Sequence, residues 1–306
     1  MLKECLLSPA ERTTFLLREL YTKNGYERFK MNKFEEYELY MRNKDFLISD
    51  GVIPFNEGGR LMALKPDVTL SIIKNTKGSD RLRRICYNEN VYRVVSGELS
   101  EIMQSGLECI GNLDTDATYE VLRLAAESLA IIDGAYVLSL SHMGYVDALF
   151  EAYGVESADR ERILACLAGK NLHDMERYLT ERGLPAALNE GLRAMVTLPV
   201  RTEDATATLE DLAVNEKMAA AARELTELCR RLEAEGYGSR ICVDFSVINS
   251  MKYYSGIAFS GYVNGIPTCI LSGGRYDKLM ERMGKDRGAI GFALYLNALD
   301  YMDGRK

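Results

Sequence analysis

Apolar residues along the chain switch between helical and strand-like spacing, and this alternation predicts the order of its secondary structure. The segment from Ser8 to Glu11 offers an N-cap, a proline at the first helical position and a glutamate at the third, so a helix is predicted over 8–24. Gly25 ends that pattern. The next predicted elements are a strand over 27–31 and a helix over 33–41.

Short apolar runs separated by glycine and proline predict the first group of strands. Gly58-Gly59 lies between two such runs and is typical of a hairpin turn. Asp67 and Thr69 favour the start of a helix that runs to Lys74. The further predicted elements are strands over 84–96 and 102–111, a helix over 116–133, a strand over 136–141 and a helix over 142–153.

Residues 156–236 differ in composition from the rest of the chain, because they are rich in Ala, Leu, Glu and Arg and nearly lack aromatic side chains. Several consecutive helices are predicted there, and the last, over 214–235, carries leucines at three- and four-residue spacing. We therefore expect an all-helical insertion over 154–238, which divides a core domain into residues 1–153 and 239–306.

Strand signals return after the glycines at 236 and 238. The predicted elements are strands over 241–248, 254–263 and 267–273, a helix over 277–283, a strand over 288–293 and a helix over 294–301. Runs of adjacent strands, rather than a regular β-α alternation, favour an α+β fold with a mainly antiparallel sheet flanked by helices.

Composition excludes several classes of protein. The 306 residues are 47% hydrophobic and 27% charged, which is ordinary for a soluble globular protein. No apolar run approaches the roughly 18–20 residues of a membrane helix, and the N-terminus lacks the layout of a signal peptide. We therefore expect a cytoplasmic protein.

The sequence gives little indication of a metal site or of nucleic-acid binding. The seven cysteines form no C-x-x-C pair and the two histidines lie far apart, so we expect reduced thiols, no metal site and no cofactor. The net charge is −7, and the only dense basic cluster is Arg81, Arg83 and Arg84. Nucleic-acid binders usually carry a basic stripe, so tRNA is an unfavoured ligand.

The segment DFSVINSMKYYSGIAF at 244–259 predicts a strand–turn–strand with Tyr253 and Tyr254 as a pocket wall that has polar tips. Other polar residues suit a small amino-acid ligand, since carboxylates accept from an ammonium or imidazole N–H and neutral groups add hydrogen bonds. These candidates are Asp67, Thr69, Gln104 and Glu108. Gln104 and Glu108, four residues apart on a strand, share one face, and that face could equally be solvated.

These residues stand in segments that resemble the catalytic core of histidyl-tRNA synthetases, in the family's order. The matching segments are 25–35, 59–69, 91–108, 253–259 and 273–293, of which 59–69 reads GRLMALKPDVT. Together the resemblance covers about residues 10–150 and 240–302. It implies a class II aminoacyl-tRNA synthetase-like core, a homodimer with the first motif at the interface, and a histidine-binding role for the candidates above and for Arg93.

The chain departs from the family where ATP activation needs cations. Asn249 holds the slot of the arginine that faces the substrate carboxylate, Ala298 holds that of an ATP-binding arginine, and Tyr295 fills a glycine slot. The stretch from Arg93 to Gln104 is also shorter than the family's, and the chain ends soon after the third motif, so we expect no anticodon-binding domain. The resemblance therefore implies binding without catalysis.

This profile is similar to the family of regulatory subunits of ATP phosphoribosyltransferase. Membership implies no activity of its own, activation of a short catalytic subunit, histidine feedback inhibition in the first step of histidine biosynthesis, and a hetero-octamer. The alternatives are a divergent histidyl-tRNA synthetase-like adenylating enzyme and a synthetase-like sensor or binding module. Histidine is an expected effector, which could bind either in the candidate pocket or at the interface with the catalytic chain.

Overall fold

The computed structural model describes residues 7–44, 47, 51–76, 82–95, 97–250 and 254–301, without the side chains of 248–250. The chain forms two compact units. Unit 1 comprises Met1–Tyr136, Met251–Tyr253 and Gly261–Lys306, and unit 2 comprises Val137–Ser250 and Tyr254–Ser260. The predicted insertion boundaries at 154 and 238 stay a prediction.

The elements follow one another closely along the chain. In the first half they are α1 (Pro9–Lys23), β1 (Glu27–Arg28), β2 (Phe34–Glu36), α2 (Tyr37–Arg42), β3 (Pro54–Glu57), β4 (Arg60–Leu64), α3 (Val68–Asn75), β5 (Arg83–Val95), β6 (Glu98–Gly111), α4 (Thr115–Ile132), β7 (Tyr136–His142) and α5 (Met143–Ala152). In the second half they are α6 (Ser157–Ala168), α7 (Leu172–Glu181), α8 (Ala186–Val196), α9 (Thr202–Asp211), α10 (Glu216–Ala234), β8 (Ile241–Val243), β9 (Ile257–Val263), β10 (Leu271–Arg275), α11 (Asp277–Arg282) and β11 (Gly288–Tyr295). Short 3-10 helices occupy Gly238–Arg240, Phe245–Ser250 and Leu296–Tyr301.

Unit 1 is built on a sheet with the order β1-β5-β6-β11-β10, followed by the end of β9. The β5–β6, β6–β11 and β10–β11 pairs are antiparallel, and β1 runs parallel to β5. Helices α1 and α4 pack together beside it: Tyr21 of α1 meets Phe292 of β11 edge-on at 6.1 Å and hydrogen-bonds Ser128 of α4 at 3.0 Å. The α+β class and the antiparallel character of the core are confirmed.

A second, three-stranded sheet with the order β2-β4-β3 precedes α3. Its β3–β4 hairpin turns at Gly58 and Gly59, which both have positive φ values of 57° and 83°. Glycine adopts this left-handed conformation without a steric penalty, so the pair is suited to the predicted turn. Lys65, Pro66 and Asp67 follow the hairpin and connect it to α3.

Unit 2 combines helices α5–α10 with β7, β8 and the first residues of β9, in the strand order β9-β7-β8. Side chains join neighbouring helices: Asp159 of α6 accepts hydrogen bonds from Tyr178 and Arg182 at 2.6 and 2.9 Å. Asn215 caps α10 and also donates to the Ala148 carbonyl of α5 at 3.1 Å. Helices α6–α10 therefore occupy the range for which the sequence predicts consecutive helices.

Several predicted elements differ from the structure. The strand predicted over 102–111 begins at Glu98, and the strand predicted over 267–273 is β10 at Leu271–Arg275. The helix predicted over 33–41 begins only at Tyr37, because 34–36 pair with β4 as β2. The strand predicted over 241–248 ends at Val243, and a 3-10 helix follows. Asp244 explains that end, since its Oδ1 accepts the Ser246 amide at 2.9 Å and turns the chain. The helix predicted over 294–301 is a 3-10 helix from Leu296, after β11.

Three findings on the described residues concern thiols, metal ions and membranes. The six described cysteines are free. Among the residues that the structure describes, no group of three His, Cys, Asp or Glu side chains is placed to hold a metal ion. Nor does any helix in the described ranges combine the length and apolarity needed to cross a membrane.

Candidate functional site

The register of β5, β6 and β11 gathers polar side chains on one face of the unit 1 sheet. Successive strand residues point to opposite faces, and residues paired across an antiparallel ladder point to the same face. Gln104 pairs with Glu89 and Tyr295, while Glu108 pairs with Ile85 and Gly291. The residues that share this face are Tyr87, Glu89, Arg93, Gln104, Glu108 and Tyr295. We leave out Glu89, which is bonded to Lys65, and name the other five, with Asp67, Thr69 and Tyr276, the polar cluster.

Glu108 is the most buried carboxylate of the cluster, with 1% exposure. Thr69 Oγ1 donates to its Oε1 at 3.0 Å, and the Tyr276 hydroxyl donates to its Oε2 at 2.5 Å. Burial raises the pKa of Glu108 to about 8 although both hydrogen bonds act in the opposite direction. The group therefore carries a proton over much of the neutral range.

Gly291 makes room for this carboxyl group. A Cβ atom at Gly291 would overlap Glu108 Oε2 and the Leu107 carbonyl oxygen. Gly106 has a similar role, because a Cβ atom there would lie 2.6 Å from the hydroxyl of Tyr87. Two glycines thus open the sheet surface to the buried polar side chains.

Asp67 is the N-cap residue of α3, and it is buried. Its Oδ1 accepts the Leu70 amide at 3.0 Å, as an N-cap does. Burial raises the pKa of Asp67, against the lowering effect of the Leu70 hydrogen bond and of the charge on Arg93. Asp67 also raises the pKa of Glu108, so the two carboxyl groups disfavour each other's ionisation.

Arg93 supplies the positive charge of the polar cluster and is only 6% exposed. Its Nε donates to the Pro66 carbonyl at 2.8 Å. Its Nη2 is buried without a hydrogen-bond partner among the residues that the structure describes. Tyr295 lies beside it, and burial raises the pKa of that phenol to about 12 while Arg93 opposes the rise.

Sequence-predicted candidates fall into three groups in the structure. Unit 1 brings together five of them, which are Asp67, Thr69, Arg93, Gln104 and Glu108. Gln104 and Glu108 are 3% and 1% exposed, so the alternative of a solvated face is wrong. Tyr254 belongs to unit 2 and is 5% exposed. Tyr253 lies outside the described residues, as do the side chain of Asn249 and Arg81.

Sequence reasoning missed Tyr276 and Tyr87 as members of the cluster. Tyr276 is part of the GGRYD segment, which matches the family but gives that tyrosine no partner. Tyr87 donates to the Phe292 carbonyl at 3.3 Å, and burial raises its pKa well above the usual value. Strand register decides both contacts, and no short-range sequence signal fixes register across 168 or 205 residues.

The arrangement is suited to a small ligand that carries charges of both signs. A ligand carboxylate could accept a hydrogen bond from Arg93 Nη2. This contact would be favourable, because a buried donor without an acceptor destabilises the folded state. The carboxyl oxygens of Asp67 and Glu108 can accept from an N–H group at the same site, and a bound cation would favour the ionised form of both groups. A ligand with one carboxylate and one amine or imidazole could satisfy both ends.

Comparisons with known proteins agree with the fold. The family model described as histidyl-tRNA synthetase matches residues 7–299. The structure thereby defines a class II aminoacyl-tRNA synthetase-like protein. An ATP phosphoribosyltransferase regulatory subunit of Clostridium kluyveri is 30% identical over 301 residues, which cover 93% of this chain and 75% of the relative. The chain therefore belongs to the histidyl-tRNA synthetase family and, within it, to the ATP phosphoribosyltransferase regulatory subunits.

Further relatives and solved structures show the same likeness. A protein with the same name from Bacillus mycoides is 26% identical, with 98% of this chain and 73% of the relative covered. The crystal structure of an ATP phosphoribosyltransferase regulatory subunit/histidyl-tRNA synthetase from Bacillus halodurans has a TM-score of 0.86 at 25% identity, covering 96% and 79% of the two chains. The ATP phosphoribosyl transferase (HisG:HisZ) complex from Thermotoga maritima has a TM-score of 0.73 at 19% identity, covering 94% and 97%, and shows the fold alone.

Proposed function

We propose that this chain is a non-catalytic regulatory subunit of ATP phosphoribosyltransferase that binds histidine in the polar cluster. It activates a short catalytic subunit and makes it sensitive to histidine. The observation that carries the binding role is that Arg93 Nη2, which is buried and has no hydrogen-bond partner in the described part of the chain, shares the polar cluster with the buried acceptors Asp67 and Glu108. An α-amino acid carries the carboxylate and ammonium that this pairing would satisfy.

Residues at the positions that would bind a nucleotide in the family support the proposed absence of catalysis. Tyr295 shares a face with Gln104 and lies beside Arg93, so its ring takes up space next to the remaining cation. Ala298, in the slot of a family arginine, is 9% exposed and carries no charge. Strand β5 ends at Val95 and β6 starts at Glu98, so the two strands are joined by a tight turn. Stabilising a triphosphate requires cations, and neither Tyr295 nor Ala298 supplies one.

The proposed partner is the short catalytic chain of ATP phosphoribosyltransferase. Support comes from the names of the relatives and from the fold shared with a chain of the Thermotoga maritima complex. We further propose a homodimer of this chain within a hetero-octamer in the cytoplasm. Purification of the tagged chain from its native source should recover the short catalytic chain, and its absence would refute the partnership.

Titration calorimetry of histidine against the isolated chain tests the binding role. We expect saturable heat, because Arg93 and the carboxyl groups all lie in unit 1 of this chain. No heat with this chain alone, combined with histidine inhibition of the complex, would place the effector at the interface with the catalytic chain instead. Glu108→Ala should then leave inhibition unchanged, whereas the proposed pocket predicts that it abolishes inhibition while the complex still forms.

The absence of catalysis has a separate test. Histidine-dependent exchange of pyrophosphate into ATP reports adenylation directly. We expect no exchange above that of a protein-free control. Exchange that rises with histidine concentration would show that the chain is a divergent adenylating enzyme.

A further inference from the structure

Lys65 is a fully buried charged residue to which the proposed histidine contacts give no role. It lies between β4 and α3 and its side chain is 0% exposed. Taking an ammonium group out of water is unfavourable unless a partner compensates, and an apolar residue could fill the same space without that loss of hydration. Lys65 Nζ donates to Glu89 Oε2 at 3.0 Å, and Glu89 is itself only 15% exposed.

The Lys65–Glu89 ion pair is one of three attachments between the same short segment and β5. The Tyr92 amide donates to the Lys65 carbonyl at 2.8 Å. The Arg93 Nε donates to the Pro66 carbonyl at 2.8 Å. Residues 65–66 are therefore tied to β5 at positions 89, 92 and 93.

The residues directly after this segment form the ligand-facing part of the polar cluster. Asp67 comes next and caps α3 through the Leu70 amide, and Thr69 donates to Glu108 at 3.0 Å. A shift of residues 65–66 would move both side chains, since the cap fixes them to the same helical turn. Functional groups keep productive geometry only when neighbouring residues hold them.

Three carboxylates near Lys65 attract its ammonium group. Glu89, Glu35 and Asp67 all act to raise its pKa, although burial is the larger effect and lowers it. Glu35 is already bonded to Lys74 at 2.6 Å, and Asp67 is under the influence of Arg93. Glu89 is thus the acceptor that holds Lys65 directly.

We propose that the Lys65–Glu89 ion pair is a positioning element, which holds Asp67 and Thr69 where a bound amino acid needs them and so sets ligand affinity without touching the ligand. This inference rests on the proposed function for its ligand. Its structural half, the placement of the first turn of α3, holds independently of any ligand.

Two variants and one matched control test the proposal. Lys65→Met keeps the apolar stem but removes the charge, and Glu89→Gln removes the acceptor charge. Lys74→Met is the control, because it breaks the Lys74–Glu35 ion pair at the other end of the same helix. The readouts are hydrogen exchange of the Leu70 amide in the ligand-free chain and the dissociation constant for L-histidine by calorimetry.

We expect both test variants to speed exchange of the Leu70 amide and to weaken histidine binding by roughly tenfold. The control should change neither by more than about twofold, even if it lowers global stability to a similar extent. Unchanged exchange and affinity in the test variants, or equal effects in the control, would overturn the proposal. If Lys65→Met does not fold, Glu89→Gln decides alone, because the remaining lysine can lose its proton. If wild type binds no histidine, the proposed histidine site in the polar cluster fails, and the Leu70 exchange still decides the positioning role.

Discussion

The protonation of Glu108 is the residue-scale feature with the widest consequences. Its pKa is raised from 4.5 to about 8 because burial outweighs the hydrogen bonds from Tyr276 and Thr69. A group whose pKa is higher in the folded state contributes stability that is complete below the unfolded value and lost as the pH rises through the folded value. The folded chain should therefore lose stability between about pH 4.5 and 8.

Replacement of Glu108 by glutamine isolates this effect. Glu108→Gln is neutral at every pH, so it lacks the cost of ionising a buried carboxyl group. We expect the urea midpoint of wild type to fall from about pH 5 to about pH 8 by more than that of the variant. Urea titrations across this range measure the difference, and parallel curves would show that Glu108 is ionised throughout.

A methyl group at position 291 should displace Glu108. Gly291→Ala puts a Cβ atom into the space of the Glu108 carboxyl oxygen. We expect a loss of about 1–3 kcal/mol in the free energy of unfolding, together with weaker histidine binding. Gly134→Ala is the control, because a Cβ atom there meets nothing within 4 Å, and it should change stability by less than about 0.5 kcal/mol. Equal effects of the two substitutions would refute the packing account.

At the scale of elements, local signals predicted most helices and strands well. The capping box at Ser8 and Glu11 starts α1 as expected, and a hairpin joins β5 to β6, with Gly97 at a positive φ of 86° between them. The predictions are wrong where a contact between distant segments determines the secondary structure. Residues 34–36 form a strand only because β4 lies beside them, and β11 extends to Tyr295 because the Tyr295 amide bonds the Ile270 carbonyl. Such partners are distant in sequence and leave no local pattern.

The candidate site shows the same division. The resemblance to histidyl-tRNA synthetases made Asp67, Thr69, Gln104 and Glu108 candidates, while the local pattern predicted only a helix start for the first two and one strand face for the others. Their burial, and the contacts of Glu108 with Tyr276 and Gly291, depend on the register of three strands. Register is set by packing over the whole sheet, which no single segment encodes.

Helix capping gives an element-scale prediction in unit 2. Asn215 caps α10 through the Met218 amide at 2.9 Å and donates to the Ala148 carbonyl of α5. Asn215→Ala should cost about 1–2 kcal/mol, because it removes both contacts. Asn215→Asp keeps the cap and loses only the second contact, so it should cost less. Thermal or urea unfolding ranks the three proteins, and an aspartate variant as unstable as the alanine variant would contradict the capping role.

At the scale of the whole molecule, membership of the family accounts for the fold, and the proposed function rests on the departures from the family's sequence. A relative named as a regulatory subunit shares 30% of residues over nearly the whole chain. In unit 1 the buried acceptors and the buried arginine of the proposed amino-acid site belong to one cluster, and a tyrosine lies beside that arginine. Under the proposed function, the chain binds an amino acid that it senses and does not activate.

The central claim is that this chain regulates a catalytic partner, and the rate of that partner tests it most directly. The short catalytic chain of ATP phosphoribosyltransferase should be assayed alone, with this chain, and with this chain plus histidine. We predict a faster rate when the two chains are mixed and inhibition of the mixture by histidine. An unchanged rate on mixing, with the two chains shown to be folded, would contradict the account.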